Sequence, residues 1–148
     1  MGKSHSLTVK RKLAAPPNRV FEAWTTPELL CRWCAPAAMS VPHAEVELRV
    51  GGAYAITMRE VDETYTTTGH YRELVAGERL VLTWGWDDGP GREETLVTVT
   101  LATGASGGTD LTLTHDGFPD ASEAALHEKG WRECLEKLAG LAGDLARG

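Results

Sequence analysis

Hydrophobic and polar positions alternate from the start of the chain. Leu7, Val9 and Leu13 fall on one side of the stretch 7–13, which predicts a half-buried strand. Pro16-Pro17 ends that strand, and Pro17 suits the first turn of a short helix carrying Val20, Phe21 and Trp24 at helical spacing. A second short helix follows at once. Thr26 is its cap, Pro27 takes the first position, Glu28 complements the dipole, and Leu29, Leu30 and Trp33 form its apolar side before Pro36 stops it. From residue 41 the period becomes two. Ala44 to Val50 places Val46, Leu48 and Val50 on one face, and Gly51-Gly52 supplies a tight hairpin turn into a strand from Ala53 to Val61. Further strands are predicted over 66–75, 79–86, 94–101 and 109–115. They are separated by turn-rich segments at 61–64, 76–78, 87–91 and 104–108.

The last segment changes period again. Asp120 and Glu123 make an Asp-x-x-Glu capping box. Ala124, Trp131, Cys134, Leu135, Leu138, Leu141, Ala142 and Leu145 then recur at three- and four-residue steps as one apolar stripe. The order is strand, two short helices, six strands in successive hairpins, and one long amphipathic helix. That order predicts a single α+β domain over 1–148, a curved antiparallel sheet of about seven strands wrapped around the C-terminal helix. A sheet folded around one helix need not close completely, so a cavity between them is expected.

Composition fits this picture. Of 148 residues 42% are hydrophobic and 24% charged, as in an ordinary globular domain rather than a disordered or fibrous chain. The net charge of -6, with no basic block, argues against nucleic acid or an anionic membrane surface as partner. Met1 to Ser6 is polar and lacks the apolar stretch of a signal peptide, and no run approaches the roughly 20 apolar residues of a membrane span. A cytoplasmic protein is expected. Cys31, Cys34 and Cys134 are odd in number, so complete internal disulfide pairing is impossible. Cys31-Arg32-Trp33-Cys34 spells C-x-x-C, but at the end of a helix, where the dipole disfavours thiolate. No second ligand pair completes a zinc site, so no metal is expected. Neither a G-x-S-x-G elbow nor a phosphate-binding loop with its lysine occurs, and no cofactor is called for.

Several segments together resemble one family. They are Val20-Phe21-Glu22-Ala23-Trp24-Thr25-Thr26-Pro27-Glu28, Arg32-Trp33, Pro36, Gly51-Gly52, Gly69-His70-Tyr71-Arg72-Glu73, Arg79-Leu80-Val81-Leu82-Thr83-Trp84, Leu111 to His115, Gly117-Phe118 and Gly130-Trp131. In this order, over nearly the whole chain, they resemble the bacterial proteins similar to the C-terminal domain of the activator of heat-shock protein 90 ATPase. Those proteins lie within the helix-grip superfamily of steroidogenic lipid-transfer domains, birch-pollen allergens and polyketide cyclases. Cys34 stands where relatives usually carry a second aromatic residue after Trp33, which opens space beside the short helices. The resemblance implies the helix-grip fold, while function within that fold varies among carriers, cyclases, hydratases and co-chaperone modules.

The expected function is non-covalent binding of a small hydrophobic or aromatic molecule between sheet and helix. Trp24, Trp33, Trp84, Trp86 and Trp131 either fill the space between sheet and helix as core or serve as candidate wall residues, with Trp86 at the mouth, and Tyr54, Met58 and Tyr71 are further wall candidates by strand alternation. Gly130, unfavourable within a helix, is consistent with close packing or a ligand at that point. His115 shares a strand face with Leu111 and Leu113, either as a satisfied core histidine or as a ligand contact or general base. Glu73, on the Tyr71 face, is the carboxylate that a cyclase- or hydratase-type reaction would pair with it, with Arg59 or Arg49 as its own partner. The alternative to ligand binding is a module that stimulates a chaperone ATPase. Monomer and homodimer are both compatible with the sequence.

Overall fold

Alternating burial along each strand and a single apolar stripe on the last helix meet in one core. A computed structural model describes residues 5–86 and 94–147, so the turn expected at 87–91 lies outside the described residues. The elements are β1 (His5–Leu13), α1 (Pro17–Thr25), α2 (Pro27–Trp33), β2 (Ser40–Val46), β3 (Ala53–Glu60), β4 (Glu63–Val75), β5 (Arg79–Trp86), β6 (Thr95–Thr103), β7 (Thr109–Phe118) and α3 (Ala121–Arg147). The seven strands form one open antiparallel sheet in the order β1-β7-β6-β5-β4-β3-β2. Hairpins generate six of them in succession, and the first strand returns to pair with the last. The α+β arrangement expected from the periodicity, an antiparallel sheet covered by the C-terminal helix, is the one observed, and it has the helix-grip form that the resemblance implies.

The long helix starts where its capping residue places it. The Asp120 carboxylate accepts from the Glu123 backbone N–H at 2.8 Å and from the Ser122 hydroxyl at 2.7 Å. Those donors, the Glu123 N–H first, hold the Asp120 carboxyl below its ordinary range. On the covered side Trp131, Cys134, Leu135, Leu138, Leu141 and Ala142 are all buried, in the same cluster as Leu7, Val9, Val97, Val99, Leu111 and Leu113 of the sheet. The two short helices join that cluster through Val20, Phe21, Trp24, Leu30 and Trp33. Trp33 Nε1 donates to the Ala23 carbonyl at 2.9 Å and so fixes α2 against α1.

Three local expectations need correction. Thr26 occupies the cap position of α2, but its side chain makes no capping hydrogen bond; its carbonyl accepts from Leu29 and Leu30 instead. The strand expected over 44–50 forms over Ser40–Val46, and Leu48 and Val50 stand 53% and 62% exposed. The chain leaves the sheet after Val46 because its backbone groups find partners in a loop. The Glu47 carboxylate accepts from Ala53 N, Gly52 N bonds the Arg49 carbonyl, and Gly51 N and Gly52 O pair with Tyr71. Gly51 has φ +85°, and a Cβ at Gly52 would collide with the Glu47 carbonyl oxygen, so two glycines are required there. The third correction is at β4, where the register against β5 shifts between Tyr71 and Glu73. That bulge reverses the alternation, so Tyr71 is buried while Glu73 is exposed.

Candidate functional site

The sheet and α3 leave a pocket of about 290 Å³, lined by Pro36, Met39, Met58, Tyr65, Trp84, Trp86, Leu126, His127, Gly130, Trp131 and Cys134. Each lining residue follows from local geometry. Met58 and Tyr65 face each other across the β3–β4 hairpin, and Trp84 and Trp86 are alternate residues of β5. Leu126, His127, Gly130, Trp131 and Cys134 fall on one face of α3 at helical spacing. Pro36 and Met39 come from the segment after α2, which α3 holds in place. Lys137 Nζ donates to the Pro36 and Met39 carbonyls, each at 2.9 Å, and the Glu133 carboxylate accepts from Ala37 N at 3.3 Å. Burial separates floor from mouth. Met58, Trp84, Trp131 and Cys134 are buried, Trp86, Tyr65 and His127 half-buried, and Leu126 is 70% exposed.

No carboxylate, lysine or arginine lines the pocket among the described residues. The Cys134 thiol is pushed up to about 12, chiefly by burial, and so stays protonated as a soft apolar wall atom. Burial also raises Cys34, with Cys134 and Cys31 adding to it, and all three thiols are free. Among the described residues no group of three or more His, Cys, Asp or Glu side chains stands close enough to hold a metal ion.

Of the nine residues singled out as walls, Met58, Trp84, Trp86 and Trp131 line the pocket. Trp24 and Trp33 pack behind them instead. Their ring centroids are 4.6 Å apart, and Trp24 lies 5.7 Å from Trp131. Tyr54 and Tyr71 pack together at 5.6 Å on the sheet side, with Tyr54 6.4 Å from Trp84 and its hydroxyl donating to the Thr83 carbonyl. Trp131–Trp84 at 5.0 Å and Trp84–Trp86 at 5.8 Å complete an unbroken chain of all five indoles through the core. The pocket indoles differ in how their N–H groups are used. Trp131 donates to His115 Nδ1 at 2.9 Å and Trp86 to His127 Nε2 at 3.1 Å, whereas the buried Trp84 Nε1 has no partner among the described residues.

His115 serves the frame of the pocket rather than its lining. An indole N–H can only donate, so Nδ1 accepts from Trp131 and the proton sits on Nε2. Nε2 then donates to Thr95 Oγ1 at 2.6 Å, and that hydroxyl donates to the Trp84 carbonyl at 3.0 Å. Burial, with His127 nearby, lowers the His115 pKa to about 3, so the ring is neutral with both nitrogens occupied. Glu73 is exposed and paired with Arg79 at 3.0 Å rather than with Arg59 or Arg49. The expected acid–base pair of His115 and Glu73 is therefore not assembled, because the bulge in β4 turns the carboxylate out to solvent.

Pro36, Met39, Tyr65, Leu126, His127 and Cys134 are pocket walls beyond those expected from the sequence. Helical spacing from Trp131 reaches His127 and Cys134, and the tight turn after Glu60 sets Tyr65 opposite Met58. Pro36 and Met39 had no such signal, since their placement depends on Lys137, about a hundred residues away.

The fold and this pocket can be set beside known proteins. The model of the family described as activator of Hsp90 ATPase homolog 1-like protein matches residues 14–143. The chain belongs to that family. Among solved structures, a Chromobacterium violaceum protein is 35% identical to this activator-like chain, with 93% of it and 96% of the other covered at a TM-score of 0.83. The AHSA1 protein of Silicibacter pomeroyi is 26% identical, with 94% and 98% covered at 0.82. A Staphylococcus aureus protein of unknown function, 17% identical, shares the fold over 99% and 98% at 0.74. No curated protein sequence matches the chain. In this activator-like chain no described helix is long and apolar enough to cross a membrane.

Proposed function

We propose that this member of the activator-like family binds one small, hydrophobic or aromatic molecule non-covalently, without a cofactor, in the pocket between sheet and α3. The observation that carries the reading is the lining itself: a buried floor of Met58, Trp84, Trp131 and Cys134 opening at a half-buried mouth, with no charged side chain among the described residues. A charged ligand group would lose its hydration there without meeting an opposite charge among the described residues, whereas a flat apolar molecule gains indole and sulfur contacts. A volume of about 290 Å³ stands at the lower edge of small-molecule sites, which run from roughly 300 to 1,000 Å³. That size suits a molecule of one or two rings better than a two-chain lipid.

The test is thermal unfolding against a panel of neutral aromatics, flavonoids, sterols and fatty alcohols. A ligand at about 100 times its Kd adds about 2.7 kcal/mol and raises the midpoint by several degrees. Gly130→Leu fills the pocket from the helix with a residue that favours helix, so it removes the ligand-induced shift while the protein stays folded. A panel that produces no shift in the wild-type protein overturns the reading. The family description supports a second reading, stimulation of an Hsp90-type ATPase. Stimulation by the purified protein that Gly130→Leu leaves unchanged, with no ligand shift, would favour it.

A further inference from the structure

We infer that His127 is a positioning residue for the pocket, fixing the Trp86 indole at its mouth and thereby setting the rate at which a bound molecule leaves. The inference rests on reading the pocket as a ligand site. Its basis is a pair of hydrogen bonds of opposite sense on one imidazole. His127 Nδ1 lies 3.0 Å from the Glu123 carbonyl, an oxygen that can only accept, so Nδ1 carries the proton. Nε2 is then a lone-pair acceptor, and the Trp86 indole N–H, which can only donate, meets it at 3.1 Å. The first bond anchors the ring to its own helix, and the second reaches across to the sheet. Phe118 at 4.7 Å and His115 at 5.3 Å hold the ring from the side of β7. Ring, tautomer and indole are therefore fixed together.

Both partners line the pocket, and both are half-buried, between a closed floor and the exposed Leu126. Trp86 is the largest side chain at this level, and an unrestrained half-exposed ring changes rotamer in nanoseconds or less. Held by His127, it blocks the way out until the bond opens. Such a latch acts on release more than on entry, as loss of single contacts generally does.

The experiment uses 1-fluoronaphthalene, an uncharged two-ring aromatic, with its off-rate read from ¹⁹F NMR exchange broadening on the full chain. His127→Phe and Trp86→Phe each raise the off-rate about three- to tenfold, the worth of one ordinary hydrogen bond, and the double variant goes no further. His127→Gln, whose Oε1 can accept from Trp86, keeps the wild-type rate. In the absence of probe, the Trp86 indole N–H exchanges faster with water in His127→Phe than in the wild type. Should His127→Phe fail to fold, Trp86→Phe removes the same bond from the other side. A probe that saturates the wild type and leaves all variants at one rate overturns the latch and keeps the pocket. A wild-type protein that no probe saturates overturns the pocket reading, and the rate-setting role falls with it.

Discussion

An imidazole with no exposed atom cannot take up a proton without losing a hydrogen bond, and His115 is held in that state by Trp131 and Thr95. Its pKa, near 6.5 in the unfolded chain, is lowered to about 3 by burial first and by His127 second. Above pH 6.5 both folded and unfolded forms are neutral, and the residue makes no pH-dependent difference. Below it the unfolded chain binds a proton that the folded protein does not, so stability falls as the pH drops toward 3. Between pH 7.5 and 5 the loss amounts to about 2 kcal/mol. His115→Asn offers an acceptor near the Nδ1 position and does not titrate, so it is less stable than wild type at pH 7.5 but loses less on acidification. Urea unfolding of both proteins at the two pH values measures the difference. Gly130 carries a second residue-scale prediction. A Cβ there would lie 3.6 Å from Pro36 Cγ, an ordinary contact, so Gly130→Ala gains helix propensity of about 1 kcal/mol and raises Tm by about 3 °C. The same methyl narrows the pocket, and ligand affinity falls. The cost of a helical glycine was legible in the sequence. A hydrogen-bonded core position for His115 was legible too, but its partners were not, because they stand 16 and 20 residues away on other elements.

At the level of elements, the segment between α2 and β2 depends on one cation. Lys137 is half-buried and spends two donors on the carbonyls of Pro36 and Met39. Hydrogen bonds to a charged group are worth roughly 1.5–3 kcal/mol, and Lys137→Met replaces them with apolar packing on the same stem. The variant is expected to lose about 2 kcal/mol in chemical denaturation. Amide exchange should quicken over 37–39 while the sheet remains protected. Most elements were legible from their period. β5 forms over the predicted residues, β1 and the two short helices lie close to expectation, and the apolar stripe of α3 is buried as its spacing requires. The failures share one cause. Alternation describes side chains and not backbone partners, so it continued through Leu48 and Val50, where the backbone bonds to Tyr71 and to itself, and through Glu73, where an extra residue shifts the register.

For the whole molecule, the order of elements determined the sheet and the covering helix, and the family match agrees with it. Which side chains would line the space between them was harder to read, because a tryptophan on the inner face can belong equally to a pocket wall or to solid core. Trp24 and Trp33 are core and Trp84, Trp86 and Trp131 are wall, although all five sit in the same run of rings. That continuity has an optical consequence. Indoles at such separations exchange excitation far faster than they emit, so light absorbed by any of the five migrates along the row, from Trp33 at one end to Trp86 at the other. Trp86 is the most solvated of them and offers the lowest-energy resting place. The intrinsic fluorescence of the whole protein should therefore be governed by the one indole that borders the mouth, and a molecule entering there would change the colour and yield of the emission that follows absorption anywhere in the row.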